Sequence, residues 1–231
     1  GIGVNTGKVA EILGDDAPVG SLELIFDPAN MEKLASCGVH FLDAPTEMIP
    51  AALKYAGLEP DRKDDEALAK AEEVLSAVRP HVQKFHSSEY INALANGDIC
   101  VAFGWSGDIL QSRDRAAEAE NGVDVAYNAP SEGALMWFDQ MAIPADAPNP
   151  EGAHKFLDFI MDASNMAAAS NYVYYANGNK ASQPMLEEDV IGDTAIYPDE
   201  ATLQNLYTVT PFPAKEQRKL TRMWTRVKSG T

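Results

Sequence analysis

The chain has 231 residues, 45% hydrophobic and 23% charged, which excludes fibrous, collagenous and disordered classes and fits one large or two small globular domains. Thirty-five acidic against 18 basic side chains leave a formal charge of −17, and so acidic a surface repels phosphate backbones and excludes nucleic acid as an expected partner. The same surface attracts cations, although acidity also serves solubility alone, and no run reaches the ~18 apolar residues of a membrane span, so no membrane insertion is expected.

Asp27-Pro28 supplies an N-cap and a first-turn proline for a helix running toward Gly38. Val39 to Leu42 reads as a short apolar strand. Thr46 and Glu47 open a helix through Tyr55, closed by Gly57. Asp65 caps a long helix in which Leu68, Ala71, Val74, Leu75 and Val78 keep helical spacing until Pro80. Ser87 or Ser88 caps a helix over 89–96, with Gly97 beyond its end. Asp98 to Phe103 (DICVAF) is the next strand. Gly104-Trp105-Ser106-Gly107 turns the chain, and Asp108 lies at or near the start of a helix reaching Glu120. Val123 to Tyr127 is a further strand, followed by a linker-like Asn128-Ala129-Pro130. Ala134 to Ile143 (ALMWFDQMAI) reads as a strand. Asn149-Pro150 starts a helix carrying Phe156, Phe159 and Ile160, and Ser164 starts another. Tyr172 to Gln183 is a loop with aromatic and Asn/Gly content, and 186–200 is acidic and loop-rich. The last helix, Lys215 to Val227, places Leu220, Met223, Trp224 and Val227 on one face. Its basic side chains are solvated or paired with the acidic body. Strands alternating with helices predict an α/β protein.

Enzyme signatures mostly fail. Gly104-Trp105-Ser106-Gly107-Asp108 approaches the nucleophile elbow, but Asp108 stands where the last glycine belongs. His40, His81, His86 and His154 form no metal-binding pair, and no phosphate-binding glycine loop is present. No catalytic residue, cofactor or metal site is therefore predicted; a hydrolase-like or transferase use of Ser106 or His86 is the weaker alternative. Cys37 and Cys100 have no neighbouring cysteine, so zinc is not expected. They are one bridge in an exported protein or two buried thiols in a cytosolic one. What survives is a conjunction of aromatics and carboxylates near strand ends: Asp43, Thr46 and Glu47; Trp105 and Asp108; Trp137, Phe138 and Asp139; and Tyr172, Tyr174 and Tyr175. Ligands of open α/β sheets bind outside the carboxyl ends of strands. Ring faces attract an organic ammonium and pack on its methylenes, while carboxylates balance its charge. Each of these residues alone is more commonly a core aromatic or a helix cap.

The stretches GIGVNTGKV, MEKLASCGVHFLDAP, FHSSEYINALANGDICVAFGWSGD, GALMWFD, NYVYYANGNKASQP and TRMWTRVKSG carry a resemblance. The sequence resembles the periplasmic polyamine-binding proteins, nearest the putrescine receptors of bacterial ABC importers. The resemblance implies a receptor, not an enzyme, that binds a polyamine between two hinged lobes of a type II periplasmic binding fold and hands it to an ABC permease. Trp105 would stack on the amine and Asp108 bind one ammonium. Trp137 would form a second wall, Asp139 bind an ammonium, and Tyr175 complete the aromatic box. Glu47 matches the family's acid after the LDAP strand end. Thr46 stands where relatives can carry a second acid, which keeps spermidine, agmatine or another cationic solute as alternatives to putrescine. Cys37 and Cys100 match a pair bonded in relatives. The resemblance further implies that 1–117 form the first segment of the carboxy-terminal lobe. Residues 118–181 would be the returning part of the amino-terminal lobe and 182–231 the second segment of the carboxy-terminal lobe. The amino-terminal part of the first lobe would be missing and the natural protein longer.

Overall fold

The computed structural model describes residues 1–230. Two compact units emerge: Gly1–Met136 together with the segment from Glu200 onward, and Trp137–Asp199.

The sheet of the first unit contains β1 (Ile2–Asn5), β2 (Val39–Phe41), β3 (Lys84–Phe85), β4 (Val101–Phe103) and β5 (Val125–Asn128), in the order β3-β2-β4-β1-β5. β2 runs parallel to β3 and β4, with Phe41 opposite Phe103, whereas β1 is antiparallel to β4 and β5. β1, β2 and β4 are buried throughout, as expected of strands covered on both faces. Sequence patterning did not single out β1. Its Gly3 explains the weak signal and the packing: a Cβ there would come within 2.8 Å of Ile109, so only a bare backbone admits that side chain.

The helices of this unit are, in chain order, α1 (Thr6–Leu13), α2 (Glu23–Phe26), α3 (Pro28–Leu34), α4 (Pro45–Tyr55), α5 (Asp65–Val78), α6 (Tyr90–Ala95) and α7 (Ser106–Ala119). The second unit adds α8 (Pro150–Met161), α9 (Ala163–Val173) and α10 (Glu188–Ile191), and the chain returns with α11 (Glu200–Asn205) and α12 (Ala214–Ser229). Asp27 caps α3 as expected, its carboxylate accepting the N–H groups of Ala29 and Asn30. Two expected caps move. Asp64, not Asp65, caps α5 through the Ala67 N–H at 3.1 Å. At α6 neither serine acts: the His86 Nδ1 accepts the N–H groups of Ser88 and Glu89 at 3.2 and 3.0 Å. Both N–H groups lie just before the helix, whose N-cap Glu89 makes no side-chain bond.

α12 follows its pattern closely. Leu220, Met223, Trp224 and Val227 are buried. Trp224 meets Phe85 edge-on at 5.4 Å, Phe85 meets Phe41 at 6.0 Å, and Phe41 meets Phe26 at 6.2 Å, a ladder of edge contacts joining helix to sheet. Three of its basic side chains pair with the acidic body: Lys219 with Asp65, Arg226 with Glu72, and Lys228 with Asp43. Such exposed pairs orient the helix more than they stabilise it. Burial works to raise the Asp43 carboxyl, but hydrogen bonds from Lys228 and the Trp224 indole outweigh it and hold it below the usual range. Cys37 and Cys100 form a disulfide with Cα atoms 5.5 Å apart, fastening the turn after α3 to the approach of β4.

The expected strand over 134–143 does not form. Leu135 alone makes an isolated parallel bridge to Tyr207, supported by Met136 N–H to Tyr207 O and Tyr207 N–H to Ala134 O. A strand needs a ladder partner, and beyond Met136 none is present among the described residues. The second unit is helical among its described residues. Its α8 is amphipathic in sequence yet buries none of its residues, leaving Phe156 and Phe159 more than half exposed.

Candidate functional site

The parallel neighbours β2 and β4 deliver their carboxyl ends to the same edge of the sheet. β2 leads into α4, whose first turn carries Thr46 and Glu47 behind Pro45. β4 leads through Gly104 and Trp105 into α7, whose first turn carries Asp108. Two carboxylates thus stand in the first turns of the helices that follow these two adjacent strands, where the helix dipole favours negative charge. Thr46 is exposed and Glu47 half-buried. Burial pushes the Glu47 carboxyl up. The Tyr207 hydroxyl is pushed up by burial and then by the Glu47 charge. Trp105 caps α7 without a side-chain bond and rests half-buried against the core.

Behind this edge stands Tyr90 of α6, fully buried. Its hydroxyl accepts the Trp105 N–H at 3.2 Å and donates to the Asp108 carboxylate at 2.7 Å. The ring fits because residue 104 is glycine: a Cβ there would lie 2.6 Å from Tyr90 Cε2. Gly104→Ala therefore has to displace a buried ring, and is expected to cost about 1–3 kcal/mol of stability. Thermal melting checks this; an unchanged midpoint would mean the ring yields freely. Sequence reading passed over Tyr90, since a tyrosine on a short amphipathic helix reads as core. The only local hint was a glycine at the strand exit.

In the second unit Trp137 and Tyr175 meet with ring centroids 5.8 Å apart, tilted at 52°. Asp139 follows two residues after Trp137 and is exposed. The run expected as a loop from Tyr172 begins two residues late, because α9 continues to Val173. Tyr174 then takes a left-handed conformation, φ 57°, ending the helix just before Tyr175. Amides hold the following segment. Asn177 Nδ2 donates to Ser170 Oγ at 2.9 Å, and Asn177 Oδ1 accepts from the Asn179 N–H and the Ser182 hydroxyl. Asn179 Nδ2 donates to the Met161 carbonyl at 2.7 Å. The Asn/Gly content signalled this turn chemistry.

The profile of bacterial extracellular solute-binding proteins matches residues 4–198. The chain belongs to this family. Among curated solute-binding relatives, it is 51% identical to the putrescine-binding periplasmic protein SpuD of Pseudomonas aeruginosa and 47% identical to PotF, the putrescine-binding periplasmic protein of Escherichia coli. Both alignments cover all of the chain, which spans 63% and 62% of those relatives' lengths. A solved Listeria monocytogenes protein assigned to spermidine/putrescine ABC transport superposes with a TM-score of 0.84 at 25% identity, over 99% of this chain and 66% of that one. The fold of this solute-binding protein is therefore the α/β fold of type II periplasmic binding proteins. No described helix is long and apolar enough to cross a membrane. His86, of the hydrolase-like alternative, accepts the N–H groups of Ser88 and Glu89 at Nδ1 just before α6.

Proposed function

We propose that the protein is a periplasmic receptor that binds a polyamine, putrescine first, and delivers it to the permease of an ABC importer. The observation that carries this reading is the shared sheet edge holding Trp105, Asp108 and Glu47 at the ends of adjacent parallel strands. In the first unit Trp105 stacks on the carbon chain, while Asp108 and Glu47 neutralise an ammonium. In the second, Trp137 and Tyr175 supply ring faces and Asp139 a carboxylate. An alkyl ammonium is costly to bury unless paired, and each unit by itself offers a pairing charge and an apolar wall. Two close relatives named for putrescine binding support the choice of amine. Thr46, exposed in the first turn of α4, adds a hydroxyl beside Glu47 rather than a second charge.

Titrating putrescine into the protein at its full natural length, while following tryptophan emission, tests the reading. Saturable change is expected, lost when Trp105 and Trp137 are both replaced by leucine; a flat titration of the parent contradicts it. A pH dependence follows from Glu47. Its carboxyl is raised by burial, so it takes up a proton at a higher pH than an ordinary glutamate. The ammonium needs the ionised form. Affinity is therefore expected to fall as pH drops through that raised range, and Glu47→Gln should flatten this part of the profile. A profile identical in Glu47→Gln and parent would exclude Glu47 from the contact.

A further inference from the structure

We infer that Tyr90 is a positioning residue for the amine site: its buried hydroxyl joins the backbone of Trp105 to the carboxylate of Asp108 and sets the two in register. The inference rests on the polyamine reading above and deepens it. Trp105 and Asp108 are three residues apart, on either side of the start of α7. The backbone at the helix start does not by itself fix the Asp108 side chain, because a carboxylate in a first turn has several rotamers. The Tyr90 hydroxyl accepts from the Trp105 backbone N–H at 3.2 Å and donates to the Asp108 side chain, at Oδ2, at 2.7 Å.

The chemistry of the bond is directional. The phenol proton points at the carboxylate and the phenol oxygen receives the amide proton. Asp108 is thereby stabilised as an anion before any ammonium arrives, and one of its oxygens is anchored. The anchor is itself rigid. Tyr90 is 0% exposed, and its ring fills the space that residue 104 leaves empty at the exit of β4. The strand that carries the site and the helix that carries the anchor are therefore matched through one missing Cβ. A ligand meeting Asp108 then loses little side-chain freedom on binding, the general gain of a preorganised site.

Tyr90→Phe removes the hydroxyl and keeps the ring. Two measurements on the protein at full natural length test the role. First, carboxyl carbon shifts across pH report the Asp108 titration without ligand; the loss of a donated hydrogen bond should move it upward in Tyr90→Phe. Second, putrescine titrations of parent, Tyr90→Phe, Asp108→Asn and the double variant form a cycle. Tyr90→Phe is expected to weaken binding about tenfold in the parent. In the Asp108→Asn background the same change should cost no more than about twofold. An unmoved Asp108 titration, or an equal loss in both backgrounds, overturns the inference, because a merely structural tyrosine acts independently of Asp108. A parent that binds no putrescine while its Asp108 titration still responds to Tyr90→Phe removes the polyamine reading and leaves the hydrogen-bonded unit standing without its ligand.

Discussion

Asp108→Ala is expected to weaken putrescine binding by about 100-fold or more, while Asp16→Ala leaves it within about twofold. Both replacements remove one negative charge from a chain of net charge −17, so bulk attraction for a cation changes equally. They differ in where the charge sits. Asp16 is exposed in the loop after α1, whereas Asp108 is half-buried at the start of α7 and hydrogen-bonded to Tyr90. An ammonium removed from water and left without its carboxylate loses about 3–5 kcal/mol, against less than about 1 kcal/mol for a solvated pair. Calorimetric titration at low and moderate salt separates the terms. The Asp108 effect should persist as salt rises, because contact pairing is screened less than long-range attraction. Equal small losses for both variants would reduce the acidity of this protein to a diffuse field and remove Asp108 from the contact.

Loss of the Cys37–Cys100 bridge should produce the largest change in stability. It closes a separation of 63 residues, which the chain-entropy relation values at about 4 kcal/mol. For a chain of this size that corresponds to a fall of about 8–16 °C in melting midpoint. Its Cα separation of 5.5 Å lies in the ordinary range, so the bridge joins positions the fold already brings together. The Cys100 end precedes β4, and β4 exits into Gly104 and Trp105. The Cys37→Ala/Cys100→Ala double variant is therefore expected to melt early yet bind putrescine with near-parental affinity below its transition, because the site residues keep their own anchors. Thermal melts of the oxidised parent and the double variant check the first part. A midpoint shift below a few degrees would mean that the rest of the first unit already fixes both ends.

Most of the first unit was legible in the sequence, for specific reasons. Asp27-Pro28, the periodic apolar positions of α5 and the four-residue face of α12 are local signals that tertiary packing reinforces. β1 was not legible, because a glycine-containing strand stands out only once Ile109 is seen to need the space. The ALMWFDQMAI run failed for the opposite reason: its composition suits a strand, but strand formation depends on a partner that no local pattern specifies. The candidate residues near strand ends were readable because a parallel sheet presents carboxyl ends to one edge, as β2 and β4 do for Glu47 and Asp108. Tyr90 was not readable. Its bond to Asp108 joins residues of two different helices, and nothing in the α6 sequence distinguishes an anchoring phenol from a packed one.

The most direct test compares putrescine with 1,4-butanediol, the same four-carbon chain with hydroxyls in place of ammonium groups, by calorimetry on the protein at its full natural length. Saturable binding of the diamine at one site per chain is expected, with no detectable heat from the diol. Comparable binding of both, or of neither, would contradict a site built from rings for the carbon chain and carboxylates for its charged ends.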